Sequence, residues 1–488
     1  MKLIKCLFLT LAVLLLATSC TKDKTQEYIP SDAVVVLKAD LSQLIKHSGI
    51  RQKDGKLLLP PKFKKMLEDQ SGDAKDVEKE MNKLQESGID FSGCCYGFMP
   101  NGALNGKSDF EFVFLVPLDD EKKMQEYLKE KAEVDFEKKG DVLVASNKPN
   151  IFVIKDGTLF VTEVWDEGVE DDFITLLKPK KSMSDNDAIV KALGTDDDVN
   201  IFMDTKKFRK MAARELDGGY DPESMAASTM MDLFDVESSA IHINLADNEI
   251  NVRTENEFDK NSDYMKLVKK MTSKPDADLV KMMPAGDNAI VFSLCINGEA
   301  IADFDLVKNL LGEAYDDPDF AKILNIFKSI NGPVTIGAAS NNLGEGEFNV
   351  VVATKTPKAS DLHSIIDMTP MGEYGTREGS EYVLQESPDD PKIILGENNN
   401  VLYYKFNNSN SSATMGDNNA AKAIFSNALA ALYFTSTIDN MQMQCTMESK
   451  DLKDGYTTMW VKEDGKKLCL LDALTFFAKL ADEVDFYY

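Results

Sequence analysis

The chain has 488 residues, 43% of them hydrophobic, and a formal charge of −27 at pH 7. That length and apolar content suffice for two or three cored domains. The acidic surplus excludes nucleic acid as a partner and works against binding to anionic membrane surfaces. Acidic runs such as Asp171-Asp172, Asp196-Asp197-Asp198 and Asp316-Asp317 read as solvated faces.

The chain opens with Lys2 and Lys5, followed by an apolar run over residues 6–17. A spanning helix needs about 20 apolar residues, so this run reads as the hydrophobic part of an export signal over residues 1–19. The run ends on Ala17-Thr18-Ser19-Cys20, small residues and then a cysteine. This resembles the lipobox of bacterial lipoproteins, which implies diacylation of Cys20 and cleavage before it. Ala17 stands where Leu is commoner. Loss of Lys2 and Lys5 moves the formal charge to −29. Residues 20–27 are polar and are expected to form a flexible tether between the lipid and the body. No later stretch is apolar for long enough to span a bilayer.

Five cysteines follow: Cys94, Cys95, Cys295, Cys445 and Cys469. Their odd number and low density argue against a disulfide framework. Cys94 and Cys95 are adjacent on a predicted strand and should point to opposite faces.

The body carries an internal correspondence at an offset of 240 residues, without gaps over residues 93–120. Gly97 then meets Gly337, Asn101 meets Asn341, Gly106 meets Gly346, Pro117 meets Pro357 and Asp120 meets Ser360. Each copy shows a hairpin with a Gly- and Asn-rich turn. A proline then ends the second strand, and Asp120 or Ser360 opens a helix over 120–130 or 360–367. Further hairpins and single strands follow in the same order in both copies, and each closes on an amphipathic helix, over 262–272 and 468–481. The expected architecture is α+β: two tandem related domains, residues 28–275 and 276–488, each an antiparallel sheet covered on one face by helices.

Catalytic chemistry is sparse. His47, His242 and His363 stand alone, without zinc-ligand spacing, and no metal or cofactor is expected. The run from Asn101 to Ser108 nearly spells a phosphate loop but joins two strands, so its amides are not gathered at a helix start. Gly93-Cys94-Cys95-Tyr96-Gly97 imitates a nucleophile elbow, yet it lies within a strand and has no histidine base nearby. Trp165 and Trp460 read as core or edge residues before sugar platforms. No catalytic residue is assigned.

The lipobox, the opening Tyr28-Ile29-Pro30-Ser31-Asp32-Ala33-Val34-Val35 and the duplication together resemble a family of large Bacteroidetes lipoproteins built on a domain of unknown function. That resemblance implies a cell-envelope location at the outer membrane and transfers no active-site residue. The leading expectation is a non-enzymatic binding module, anchored through the lipid on Cys20, with a protein or glycan ligand. The alternative is a carboxylate-dependent glycan hydrolase, which needs two acids about 5–10 Å apart.

Overall fold

The first strand, β1 (Val35–Asp40), becomes the middle of a broad antiparallel sheet, and Asp40 turns its end into a helix. In the computed structural model the Asp40 carboxylate accepts the Ser42 and Gln43 amides, capping α1 (Leu41–Ser48), and Gly49 ends that helix at φ 91°. Glycine suits this left-handed position, and a Cβ here would fall 2.3 Å from Cys469 Sγ. The structure describes residues 24–483, apart from 54–55, 72–73, 103–109, 165–167, 217–235, 272–275, 313–314, 316, 319, 343–346, 367–374, 386, 388–389, 408–412, 417, 419–420, 422–424, 427 and 452.

The chain divides into two compact units. Unit 1 holds the chain up to Asp259 together with Leu468–Thr475, and unit 2 holds Lys260–Lys467 and the chain from Phe476. By contact, the division falls at Asp259, and a short C-terminal segment belongs with the first unit.

In unit 1, a small hairpin of β2 (Arg51–Lys53) and β3 (Lys56–Leu58) stands apart from the main sheet. The main sheet also contains β4 (Cys94–Met99), β5 (Val113–Pro117), β6 (Glu137–Lys139), β7 (Val142–Asn147), β8 (Asn150–Lys155), β9 (Thr158–Glu163), β10 (Val199–Met203), β11 (Val236–Asn244) and β12 (Ile250–Phe258). Its order is β6-β7-β8-β9-β5-β4-β1-β10-β11-β12, with every neighbour antiparallel.

One face of this sheet packs against α1, α2 (Pro61–Ser71), α3 (Ala74–Gln85) and α4 (Glu121–Ala132), which contribute Leu41, Phe63, Met81 and Met124. The other carries Val36, Tyr96, Phe98, Leu115 and Phe160 under Tyr28, Ile29, α5 (Glu170–Leu176) and α6 (Asp187–Leu193). Helices thus cover both faces, not one. Alternating side chains are apolar in both directions here, so the strands can serve two cores at once. Burying a side chain such as Phe98 or Phe160 contributes about 1.5–3 kcal/mol.

Unit 2 begins with α8 (Asp263–Val268), capped by Ser262, and α9 (Ala277–Val280), capped by Asp276. The label α7 (Thr205–Leu216) belongs to unit 1, between β10 and β11. The strands of unit 2 are β13 (Asn288–Asn297), β14 (Asn331–Asn342), β15 (Glu347–Lys355), β16 (Thr376–Glu378), β17 (Glu381–Leu384), β18 (Lys392–Asn398), β19 (Val401–Asn407), β20 (Ala430–Ile438), β21 (Met441–Ser449), β22 (Asp454–Glu463) and β23 (Lys466–Lys467). They run β16-β17-β18-β19-β15-β14-β13-β20-β21-β22-β23, again antiparallel throughout. Apart from β23, this is the strand order of unit 1.

The offset of 240 does not survive in the register. Gly97 lies opposite Leu37, which packs toward the helical side, whereas Gly337 lies opposite Val291 in the main core of unit 2. That core corresponds to the other face of unit 1. In both units the segment before the first strand (Tyr28 and Ile29; Leu279 and Met283) and the segment after the seventh (Phe173; Phe425) cover it. Matching by face pairs Gly97 with Ile336 and Phe98 with Gly337, one residue away from the sequence match. A slip of one residue exchanges the faces of a strand, so two glycines aligned by composition need not be equivalent.

Candidate functional site

The entry of the chain into unit 1 is more ordered than its polar composition suggests. Residues 24–28 form a 3-10 turn with Thr25 and Tyr28 buried. Gln26 Nε2 donates to Tyr96 Oη at 2.9 Å, and the Tyr28 hydroxyl donates to Asp156 Oδ2 at 2.7 Å. The Tyr28 ring meets Phe160 edge-on, with centroids 4.9 Å apart. Burial, then the bond to Asp156, raises the Tyr28 pKa. Beyond it, Met183 N–H donates to the Ile29 carbonyl at 2.7 Å and Ser31 N–H to the Lys181 carbonyl at 3.1 Å. The expected tether of residues 20–27 is thereby corrected: residues 24–27 are part of the fold, because Thr25 is buried there and Gln26 bonds to Tyr96. Cys20, the expected lipidation site, lies outside the described residues.

Several lysines gather at this end. Lys155 and Lys178 reach Asp141 at 2.9 and 3.2 Å and push its pKa down to about 2. Lys24, Lys180 and Lys181 are exposed, and none forms an ion pair among the described residues.

The densest polar cluster of unit 1 surrounds His242 on β11, which is 2% exposed. Asn200 Nδ2 donates to the Asp197 and Thr195 carbonyls at 3.2 and 3.4 Å, which orients the amide so that Oδ1 faces the imidazole. Oδ1 accepts from Thr195 Oγ1 at 2.5 Å and lies 2.7 Å from His242 Nδ1, so Nδ1 carries the proton. Nε2 is 3.9 Å from Glu255 Oε1, beyond hydrogen-bond reach. Burial, then the Arg253 charge, lowers the His242 pKa. Nε2 is the nitrogen left to act as a base, and its burial keeps it from an incoming substrate. The nearby acids, Asp197 and Glu255, face one guanidinium, with Arg253 nitrogens at 3.9 and 3.0 Å. His47 pairs with the buried Asp198 at 2.9 Å, and Asp198 also accepts the Leu245 amide at 2.6 Å.

The remaining sequence candidates are dispersed. Cys94 and Cys95 do face opposite cores. Cys94, Cys95, Cys295, Cys445 and Cys469 are free, and burial pushes the Cys295 thiol up to about 11, so it is protonated and unreactive at neutral pH. His363 lies tilted at 42° against Tyr382, with ring centroids 5.5 Å apart, and Trp460 lies on β22 beneath the Lys462 ammonium at 4.0 Å. Trp165 and most of the run from Asn101 to Ser108 fall outside the described residues. Among the described residues no group of three or more His, Cys, Asp or Glu is placed to hold a metal, and no helix is long and apolar enough to cross a membrane.

The feature that sequence reasoning missed lies on unit 2. On the face turned away from its main core, Ile290, Phe292, Ile336 and Phe348 are 37–43% exposed. Phe292 sits directly opposite Ile336, Ile336 opposite Val352, and Ala338 opposite both Ile290 and Val350. Directly opposed residues share a face, so these form one apolar surface across β13, β14 and β15. Phe348 extends it by stacking on Phe406 of β19, with centroids 5.3 Å apart. In unit 1 the corresponding end is covered: Val35, matched by face with Ile290, joins Phe208 of α7 in the cluster around the buried Val34. Unit 2 has no such helix, because β20 passes to β21 through a two-residue turn at Asp439-Asn440. The signal was present in the alternation of β13 and β14, apolar on both faces, but a covered face and an open one look alike in sequence.

Residues 26–369 match the family described as "Domain of unknown function (DUF4836)". No curated protein matches the chain. Among solved structures, two crystal forms of TP0453 align at 7% and 8% identity, covering 51% and 50% of this chain and 88% and 85% of theirs, with TM-scores of 0.28 and 0.27. A DNA polymerase III beta subunit from Thermotoga maritima aligns at 10% identity over 94% of this chain and 95% of its own, with a TM-score of 0.10. Scores this low carry no shared fold or function.

Proposed function

The chain belongs to DUF4836, a family of unknown function, and from that premise we propose that the mature protein is a lipid-anchored cell-envelope protein that works by binding a protein partner. The anchor reading rests on the signal over residues 1–19 and on Cys20, and the resemblance to Bacteroidetes lipoproteins favours the outer membrane. The common strand order of the two units supports their origin from one duplicated domain. The binding reading rests on one observation, the open apolar face of unit 2. Monomeric proteins rarely leave such contiguous apolar surface to water, and where they do it commonly marks an interaction site. Its exposed side chains, Ile290, Phe292, Ile336 and Phe348, carry no hydrogen-bonding group. A glycan needs such groups, so the face suits a protein surface better. The hydrolase reading has no comparable support, since Asp197 and Glu255 are turned toward Arg253.

Metabolic labelling with radioactive palmitate tests the anchor. The wild-type chain should take up label and the Cys20→Ala variant should take up none; an unlabelled wild-type chain would remove the lipoprotein reading. The face is tested with the dye bis-ANS. The double variant Phe292→Asp/Ile336→Asp should lose most of the dye signal while its far-UV circular dichroism stays unchanged. Equal signal from both proteins would show that this surface is not available for binding.

A further inference from the structure

The strand β21 carries sulfur along one side. Met443, Cys445 and Met447 alternate on it and therefore project to a single face. This is the face turned away from the main core of unit 2, because Cys445 and Met447 lie opposite Phe434 and Leu432, which lie opposite Ile290 and Phe292. On the neighbouring strand β22, Met459 lies directly opposite Cys445. Directly opposed Cβ atoms are about 4.5–5.5 Å apart, and a diagonal pair such as Met447 and Met459 about 7–8 Å, within reach of long side chains. Unit 1 offers a comparison. Its row Val35, Met203, Ser239 and Asn256 corresponds to Ile290, Phe434, Cys445 and Met459. There Ser239 Oγ donates to Asn256 Oδ1 at 2.7 Å, so side chains at these two positions meet at their tips. Unit 2 carries a thiol and a thioether where unit 1 has that oxygen pair, and Met447 where unit 1 has Ile241.

We propose that Cys445, Met447 and Met459 form a binding site for a soft monovalent metal ion, copper(I). Thiolate and thioether sulfur select such an ion over magnesium, calcium or manganese, which prefer oxygen. Methionine alone is ordinary filler in an apolar face, but a thiol paired directly with a thioether makes a ligand set. Burial raises the Cys445 pKa, so without a metal the thiol keeps its proton at neutral pH. Binding exchanges that proton for the cation: the S–H bond breaks, a sulfur–copper bond forms, and the proton passes to solvent. One positive charge enters as one leaves, so the surroundings of Leu432, Phe434 and Thr457 gain no net charge. A divalent ion would leave one charge uncompensated among apolar groups. Met447 is 44% exposed, and Cys445 and Met459 are half-buried, so the ion reaches the sulfurs from solvent. The site adjoins the open apolar face, and metal binding there needs no protein partner.

The test uses the purified full chain, reduced and kept under argon, with copper(I) supplied as its bicinchoninate complex. The wild-type chain should withdraw a single copper(I) from the chelator. Cys445→Ser and Met459→Leu should each weaken binding by at least about ten-fold, the smallest loss usual when even a ligand's support is removed. Met459→Leu nearly conserves volume, so its urea midpoint should stay close to that of the wild type. Cys469→Ser should bind copper(I) as the wild type does. A second measurement needs no variant to fold. Silver(I), a redox-stable analogue, is added to the wild-type chain carrying isotope-labelled methionine methyl groups and followed by NMR. The methyl resonances of Met447 and Met459 should shift, and that of Met183, buried in unit 1, should not. A wild-type chain that takes no copper(I) from bicinchoninate overturns the site. So does wild-type affinity in Cys445→Ser or Met459→Leu, or silver(I) that leaves the Met447 and Met459 methyls in place; the sulfurs are then apolar lining only.

Discussion

His242 illustrates how a residue that looks isolated in sequence acquires a defined chemical state. Its partners Thr195 and Asn200 come from 47 and 42 residues earlier, and together they hold the proton on Nδ1. In the unfolded chain the imidazole takes up a second proton near its ordinary pKa of about 6.5. In the fold, burial and Arg253 disfavour that charge. Between the lowered pKa and the ordinary one, the unfolded state therefore binds more protons. Stability falls as pH drops through about 6.5 and stops falling on this account only below the folded pKa. The urea midpoint of the wild-type chain should drop between about pH 7.5 and about pH 5.5, and His242→Gln should make that drop shallower. Parallel curves would mean that His242 protonation does not contribute. The sequence shows His242 only as a lone histidine, because the contacts that set its proton depend on long-range pairing that no local pattern encodes.

At the level of elements, the helices whose signals are local were the most legible. Asp120 caps α4 as its position in the sequence predicts, and Pro117 closes β5, whereas Ser360 lies inside a 3-10 turn (Ala359–Asp361) and caps no helix. The start of α2 is different. Pro61 occupies its first position, and the Lys62 and Phe63 amides donate to Asp472 Oδ1 at 3.0 and 2.9 Å. The cap thus comes from α10 (Leu470–Glu483), some 400 residues later in the chain. Replacing Asp472 by Ala should lower the stability of unit 1 by about 0.5–2 kcal/mol, the usual range for a lost cap, with Asn retaining part of it. Urea denaturation followed by hydrogen exchange over Lys62–Phe63 would locate the loss. A variant as stable as the wild type would show that water replaces the carboxylate. The covering of both faces of the first sheet was illegible for a related reason. A strand that alternates between two apolar faces gives a nearly continuous apolar run, which does not say how many layers will pack on it.

At the scale of the whole chain, the order of strands and helices was readable and their register was not. Counting forward by 240 residues found the right strands, β4 and β14, but aligned glycines that lie on opposite faces. Composition follows turns, whereas equivalence in a sheet follows parity. The open face of unit 2 escaped for the same reason, since it depends on what fails to cover β13 and β14 rather than on the strands themselves. The entry turn at residues 24–28 was hidden by its polar composition. The division of the C-terminal helix between the two units has a consequence in time. Leu470, Leu471 and Leu474 belong to the helix-side core of unit 1, together with residues from the first third of the chain. A polypeptide made from its N-terminus leaves that core open until Leu470, Leu471 and Leu474 appear. Unit 1 therefore waits through the whole of Lys260–Lys467 for its last core side chains, and until then it presents a leucine-sized gap.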